Sequence, residues 1–129
     1  MVFHHIGIAC RDIDREQRAW TPVGYVSEGD AFADPAQGVR GRFLIGPGPR
    51  LELLEPLAGD TTLAPWLGAG SRMYHHAYEV PDLDAAVAGM CDEGARVARE
   101  PLPAVAFGGR HVCFLALRSM ILVELIGST

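Results

Sequence analysis

The sequence predicts an α+β fold built from two copies of one βαβββ module. The first observation is that "HHIGIACRDID" near the start is nearly repeated as "HHAYEVPDLD" near the middle. The second is that apolar residues alternate along several short runs, as they do in strands. The third is that Gly- and Pro-rich joins ("GPGP", "PLPAVAFGG") separate later runs in each half, as turns require. This order of elements favours a mixed, curved sheet with helices.

The two phrases belong to a longer internal repeat. His5 aligns with His75 at an offset of 70 residues, and Glu52 aligns with Glu124 at an offset of 72. Other pairs follow in the same order: Asp12 and Asp82, Ile13 and Leu83, Asp14 and Asp84, Gly24 and Gly94, and "GVRGRFL" with "GRHVCFL". Chance similarity of short apolar words does not explain an offset that drifts so little. We therefore expect one domain over 1–129, with module one at about 1–67 and module two at about 72–129.

Module one is expected to begin with a strand and a short helix. The helix follows Asp12 and Asp14, which suit an N-terminal cap, and Pro22 disfavours its continuation. The expected elements are a strand at Phe3–Cys10, a helix at Ile13–Trp20, and strands at Tyr25–Glu28, Arg40–Ile45 and Arg50–Glu55.

Module two repeats this order with a longer, Ala-rich helix. Asp82 and Asp84 precede this helix, and Gly94 suits its C-terminal end. The expected elements are a strand at His75–Val80, a helix at Leu83–Glu93, and strands at Ala95–Glu100, His111–Leu117 and Ile121–Ile126.

Composition narrows the class of protein. The chain has 129 residues, a net charge of −5 and a pI near 5.4, which argues against a nucleic-acid-binding protein. No run of about 18 apolar residues is present, so we expect no membrane span. The N-terminus has no leader pattern, and the three cysteines lack C-x-x-C spacing. We expect a cytoplasmic protein with reduced, packed thiols at Cys10, Cys91 and Cys113.

Four polar residues are candidates for a metal site. Side chains alternate faces along a strand, so His5 and His75 should face away from their helices. Glu52 lies between two leucines, and Glu124 lies between Val123 and Leu125, so both glutamates should also face away. A pseudo-twofold relation between the modules would bring His5, Glu52, His75 and Glu124 together. Two imidazoles and two carboxylates suit a divalent ion of zinc, cobalt, nickel, manganese or iron.

Each candidate also has a simpler interpretation. A single strand histidine is more often a packed residue than a ligand, and a glutamate in "LELLE" is often solvated. His4 and His76, each adjacent in sequence to one of these histidines, are alternative candidates for the metal ligands. The repeat alignment and the spacing to the Asp-x-Asp element favour His5 and His75.

The chain resembles the vicinal oxygen chelate superfamily, which includes glyoxalase, bleomycin resistance protein and dioxygenase, over nearly its whole length. Its motifs "HHIGIACRDID", "LELLEPLAGDTTLAPWL", "YHHAYEVPDLDAA" and "VELIG" are most similar to those of the methylmalonyl-CoA epimerases. The resemblance implies a glyoxalase-like fold around a metal-binding cavity. It places the metal ligands at His5, Glu52, His75 and Glu124.

The resemblance also implies a reaction. A divalent metal would stabilise the enolate formed when the proton alpha to a carbonyl is removed. Glu124 is the candidate acid/base residue, and the substrate is expected to be a small molecule such as an acyl-CoA. Some epimerases carry a second acid/base glutamate just after a "QGV" element, where this chain has Gly41. No CoA-binding motif is evident, although Arg40, Arg42, Arg110 and Arg118 are candidates to hold an anion.

Three further functions fit the same scaffold. The first is another isomerase or lyase acting on a carbonyl substrate in secondary metabolism, which Gly41 favours. The second is a drug-binding protein, which the intact His and Glu set disfavours. The third is a ring-cleaving dioxygenase, which would be expected to use three iron ligands. The resemblance suggests a homodimer.

Overall fold

The computed structural model describes residues 1–68 and 73–129, and these form two compact units. The first unit is His5–Tyr74, and the second unit joins Met1–His4 to His75–Thr129. The predicted start of module two at residue 72 lies outside the described residues. The fold class is α+β, as predicted.

The first unit contains the predicted strand, helix and three further strands. Its elements are β1 (Val2–Ala9, from His5 onward), α1 (Ile13–Trp20), β2 (Val26–Asp34), β3 (Val39–Ile45), β4 (Leu51–Pro56) and α2 (Ala64–Gly68). The strands lie in the order β2-β3-β4-β1. β1 runs parallel to β4, and the other neighbours are antiparallel, so the sheet is mixed.

Local chemistry fixes the start of α1 and the turn after it. The side chain of Asp12 accepts hydrogen bonds from the backbone N–H groups of Asp14 and Arg15, which have no partner within the helix. A 3-10 turn at Thr21–Val23 follows the helix, and Gly24 ends it with φ of 114°. Glycine adopts this left-handed conformation at little cost.

The helix side of the first unit is its apolar core. α1 packs against the side chains of the sheet that point away from His5. Seven buried residues form this cluster: Ile8, Cys10, Ile13, Tyr25, Leu44, Leu51 and Leu53. The opposite face of β1, β3 and β4 is not covered by α1.

The second unit repeats the same arrangement. Its elements are β5 (Met73–Glu79, from His75 onward), α3 (Leu83–Asp92), β6 (Arg96–Pro103), β7 (His111–Ala116) and β8 (Leu122–Ile126). The strands lie in the order β5-β8-β7-β6, and β5 runs parallel to β8. The helix-side core contains Val80, Cys113, Leu115, Val123 and Leu125. The partly buried Tyr78 packs on this core.

Several boundaries differ from the predictions. β2 continues to Asp34 because a bulge after Glu28, with Gly29 at φ of 80°, absorbs extra residues before pairing resumes at Phe32. β6 continues through Pro103, which is tolerated because β6 is an edge strand. The short helix α2 was not predicted, since five residues carry too little periodicity.

Two further findings concern composition. In the part of the chain that the structure describes, no helix has the length and apolarity needed to cross a membrane. All three cysteines are free thiols, but only Cys10 and Cys113 are buried. The prediction of a packed Cys91 is wrong, because this residue lies on the exposed side of α3.

Candidate functional site

His5 and Glu52 form a buried pair on the first unit. Their strands are parallel neighbours, and Glu52 lies directly across from Gly7, two residues after His5. Gly7 has no side chain, so the carboxylate has room to approach the imidazole. Nε2 of His5 lies 3.1 Å from Oε1 of Glu52. The ring of His5 also meets the ring of Phe43 edge-on, with centroids 5.3 Å apart.

His75 and Glu124 form the equivalent pair on the second unit. Glu124 lies across from Ala77, two residues after His75. Nε2 of His75 lies 3.6 Å from Oε1 of Glu124. The ring of His75 meets Phe114 edge-on at 5.2 Å. Both units therefore have the same arrangement of imidazole, carboxylate, small residue and phenyl ring.

The burial of these pairs sets them apart from ordinary polar residues. His5 and His75 are 0% and 1% exposed, and Glu52 and Glu124 are each 4% exposed. Buried charged groups are destabilising unless they are paired or bind a metal. The solvated interpretation of Glu52 is therefore wrong, and its face of the sheet is the one opposite the helix, as predicted.

The donor atoms of each pair fit a first-row divalent ion. Two donors that each lie about 2.1 Å from one ion are about 3.0 Å apart at an octahedral angle and about 3.4 Å apart at a tetrahedral angle. The distances of 3.1 Å and 3.6 Å are close to these values. Imidazole nitrogen with carboxylate oxygen suits zinc, cobalt, nickel, manganese or iron. Each unit therefore offers two ligands that could hold a metal.

The alternative histidines lie in different surroundings. His4 is half-buried, and its ring packs edge-on against Phe107 with centroids 5.3 Å apart. His76 is also half-buried and pairs in register with Val123, a residue of the helix-side core. Neither has the burial of His5 or His75, which agrees with the predicted register.

Gly41 lies on the face of β3 that also carries Phe43, and its surroundings are full. A Cβ atom placed on Gly41 would lie 2.5 Å from Cζ of Phe32 and 2.9 Å from Cδ2 of Leu54. Phe32 is the cross-strand partner of Gly41, so its ring occupies the volume that a side chain at position 41 would take. The sequence shows that position 41 is a glycine rather than a glutamate, but it does not show that the ring of Phe32 fills the space.

The four arginines named as anion-binding candidates are not at the pairs. Arg40 donates to Glu55 at 2.8 Å, and Arg42 donates to Asp14 at 2.8 Å on the helix side. Arg110 donates to Glu79 at 3.0 Å. Arg118 is exposed beside α3, in a cavity of about 520 Å³.

A fifth arginine, which the sequence analysis missed, lies next to β4, the strand that carries Glu52. Arg50 shares its face of the chain with Glu52, two residues later. Its Nε donates to Oε1 of Glu28 at 2.7 Å, and its Nη2 donates to Oε2 at 3.2 Å. Glu28 is itself the cross-strand partner of Phe43. The sequence signal was the alternation through "RLELLEP", which puts Arg50 and Glu52 on one face.

Comparison with known proteins identifies relatives. A curated ethylmalonyl-CoA/methylmalonyl-CoA epimerase of Cereibacter sphaeroides is 29% identical over 114 residues, which cover 87% of this chain and 85% of the relative. A Streptomyces coelicolor methylmalonyl-CoA epimerase variant in complex with 2-nitronate-propionyl-CoA is 28% identical, with a TM-score of 0.77 over 100% of this chain and 98% of the other.

A third comparison supports the fold alone. The methylmalonyl-CoA epimerase from Mycobacterium tuberculosis has a TM-score of 0.81 and 24% identity, covering 99% of this chain and 88% of the other.

The family model of the Glyoxalase/Bleomycin resistance protein/Dioxygenase superfamily matches residues 4–114. This match covers most of the chain, including the first three of the four buried residues. The chain therefore belongs to the Glyoxalase/Bleomycin resistance protein/Dioxygenase superfamily.

Proposed function

We propose that this chain is a metal-dependent isomerase that epimerises methylmalonyl-CoA or a similar 2-substituted acyl thioester. The observation that carries the proposal is the recurrence of one buried His and Glu pair at equivalent strand positions in both units. The chain is also related to methylmalonyl-CoA epimerases. An acyl-CoA substrate follows from the names of these relatives, while a homodimer and a cytoplasmic location stay predictions.

Metal binding in this proposal uses both pairs on one ion. His5 and His75 would hold it through Nε2, and Glu52 and Glu124 would hold it through carboxylate oxygens. The side chains of Phe43 and Phe114 orient the imidazoles and keep the surroundings of both rings apolar. When bound, a divalent ion supplies the Lewis acidity that stabilises negative charge on a carbonyl oxygen.

Proton transfer in this proposal falls to Glu124. A carboxylate oxygen of Glu124 accepts the proton alpha to the thioester carbonyl, and the electron pair of the C–H bond moves into the enolate. Protonation of this carbon from its opposite side, with water as the proton source, forms the new C–H bond and inverts the centre, and Glu124 then releases its proton to water. Burial of the carboxylate excludes water that would otherwise weaken these interactions.

Deuterium exchange tests the proposed reaction. Protein reconstituted with cobalt or zinc is mixed with methylmalonyl-CoA in D₂O, and deuterium at C2 is followed by NMR. We expect exchange well above the uncatalysed rate, a loss of about 100-fold or more in Glu124→Gln, and little change in the control Glu79→Gln. Glu79 is a half-buried glutamate of β5 whose carboxylate binds Arg110. No exchange by the metal-loaded protein would exclude the proposed reaction.

A second candidate is another isomerase or lyase on the same scaffold, acting on a non-CoA carbonyl substrate. The specific observation in its favour is the phenyl ring of Phe32 over Gly41, at a position where some epimerases have a glutamate. A substrate screen with small 2-hydroxy and 2-keto acids and their esters, read by the same exchange of the alpha proton, separates this candidate from the first.

A further inference from the structure

Two arginines of the second unit line one cavity without a counter-ion. Among the described residues, neither the guanidinium of Arg96 nor that of Arg118 has a hydrogen bond or an ion pair. Other arginines of the chain each bind a carboxylate: Arg40, Arg42, Arg50 and Arg110. The cavity has a volume of about 460 Å³, and its other described lining residues carry no charge: Gly94, Ala116, Leu117 and Met120. Its two positive charges therefore have no lining group of opposite sign.

The strand register of the second unit explains why these two side chains share a cavity. Arg96 begins β6 and pairs with Ala116, the last residue of β7. The chain then turns, and the backbone N–H of Met120 donates to the carbonyl oxygen of Leu117 at 2.8 Å. Arg118 lies within this turn. Both arginines therefore stand at the same end of two neighbouring strands.

Gly94 determines where the guanidinium of Arg118 lies. This glycine follows α3 and has a φ of 98°. A Cβ atom placed on it would lie 2.7 Å from Cζ and 2.8 Å from Nη2 of Arg118, closer than real Cβ atoms approach other atoms. The guanidinium thus rests against bare backbone beside the C-terminal end of α3, where the helix dipole favours a positive charge. A side chain at position 94 would displace it.

Met120 lines the same cavity in a strained backbone conformation. Its φ is 70°, and no other non-glycine residue in the described part of the chain has a positive φ. The Cβ of an L-residue crowds the backbone in this left-handed region. Residues held in such conformations cluster at functional sites, and the flexible thioether of methionine adapts to apolar groups of varied shape. Met120 is 79% exposed and gives the cavity an apolar edge next to its two positive charges.

The charge of the cavity indicates the chemical class of its ligand. Two guanidinium groups carry two positive charges, and a phosphate monoester carries about −1.5 to −2 at neutral pH. The planar guanidinium also donates hydrogen bonds in a geometry that matches phosphate oxygens. Leu117 and Met120 add apolar surface, which suits an organic group esterified to the phosphate.

We propose that Arg96 and Arg118 form a binding site for the phosphate of an organic phosphate monoester, with Met120 against the organic group. The site goes beyond the proposed reaction and does not depend on it, because it includes neither His75 nor Glu124. Two sources share this ligand chemistry. One is the 3′-phosphate of an acyl-CoA, and the other is a separate phosphate ester.

Binding is measured on the metal-free full chain by NMR titration with phenyl phosphate, following the Nε–H signals of the arginines. We expect saturable shifts of Arg96 and Arg118, and a loss of affinity of about tenfold or more in Arg96→Gln and in Arg118→Gln. The control Arg15→Gln removes the same charge from an exposed position of α1 and should bind as the unmodified chain does. Absence of saturable binding, or equal losses in the control, would overturn the inference.

Melting temperatures separate a role in binding from a role in folding. Arg118 packs beside the end of α3, so its replacement is expected to lower the melting temperature somewhat. Arg96→Gln leaves Arg118 and Gly94 in place and should weaken binding at an unchanged melting temperature. Unchanged affinity in Arg96→Gln would show that the arginines serve the fold alone and would overturn the inference.

Met120→Gly tests the apolar edge of the cavity. Glycine adopts a φ of 70° at little cost, so the melting temperature should rise. Affinity for phenyl phosphate should fall, whereas affinity for inorganic phosphate, which has no organic group, should stay the same. Unchanged affinity for phenyl phosphate would overturn the part assigned to Met120.

Competition against bound phenyl phosphate identifies the source of the ligand. CoA carries the 3′-phosphate monoester, and 3′-dephospho-CoA lacks it. Displacement by CoA at concentrations at least about tenfold lower than by 3′-dephospho-CoA would support the site as one for an acyl-CoA. Equally weak displacement by both would support a separate phosphate ester, and it would leave the proposed epimerisation intact.

Discussion

Nε2 of His5 lies 3.1 Å from Oε1 of Glu52, and the two side chains are 0% and 5% exposed. His75 and Glu124 repeat this relationship at 3.6 Å. Moving two charged groups out of water has a desolvation cost that can exceed their mutual attraction, so a buried pair of this kind is weak evidence for stability.

Replacing the first pair by apolar residues should not destabilise the metal-free protein. His5→Leu with Glu52→Leu removes two buried polar groups, and such replacements are often neutral or stabilising by about 1–4 kcal/mol. Urea unfolding in the presence of chelator measures this change. The single variant Glu52→Leu is the control, because it leaves His5 buried without its carboxylate and should unfold more readily. A double variant that unfolds more readily than the single one would contradict this account.

Truncation of the helix-side core should be strongly destabilising. Leu53 is fully buried among residues of β1, β4 and α1, so Leu53→Ala leaves a cavity and is expected to lower the free energy of unfolding by about 2–5 kcal/mol. Ile121 is 54% exposed, and Ile121→Ala should change it by less than about 0.5 kcal/mol. Equal effects of the two changes in urea unfolding would show that the core is assigned incorrectly.

The titration of Asp14 should report its contact with Arg42. The hydrogen bond from Arg42 holds the pKa of Asp14 below its ordinary value, although burial acts in the opposite direction. A carboxylate whose pKa is lowered by folding stabilises the fold above its unfolded pKa, and that contribution is lost as the pH falls through the folded pKa. NMR titration should show the midpoint of Asp14 rising in Arg42→Gln. Because Asp14 is exposed, high salt should also raise its titration midpoint in the unmodified chain. An unchanged midpoint in Arg42→Gln would exclude the contact between Asp14 and Arg42.

One of the three thiols should react in the folded protein. Cys91 is exposed, whereas Cys10 and Cys113 are buried. Burial raises the pKa of Cys113 to about 11, with Glu100 adding to the effect, so little thiolate forms at neutral pH. Iodoacetamide at pH 8 should therefore label Cys91 alone, as read by mass spectrometry, and Cys91→Ser should remain unlabelled. Rapid labelling of Cys113 in the folded chain would contradict this prediction.

The repeat made much of the fold and of the site predictable. The alternation of side chains around His5 and Glu52 put both on the face opposite the helix, and α1 has the predicted bounds because Asp12 and the residues near Pro22 limit it. The bulge at Gly29 and the exposure of Cys91 depend on how strands and helices pack, which short-range patterns do not encode. The ring of Phe32 over Gly41 is likewise a contact across strands, visible only once the register is known.

The most direct test of the proposed metal site is the metal content of the chain purified without chelator and after reconstitution. We expect roughly one divalent ion per chain, lost in both His5→Ala and Glu124→Ala and retained in the control His76→Ala, whose imidazole lies in the other register. Loss in both variants with retention in the control would establish that the two pairs act on one ion. Metal-free protein after reconstitution, or loss in His76→Ala with retention in His5→Ala, would contradict the account.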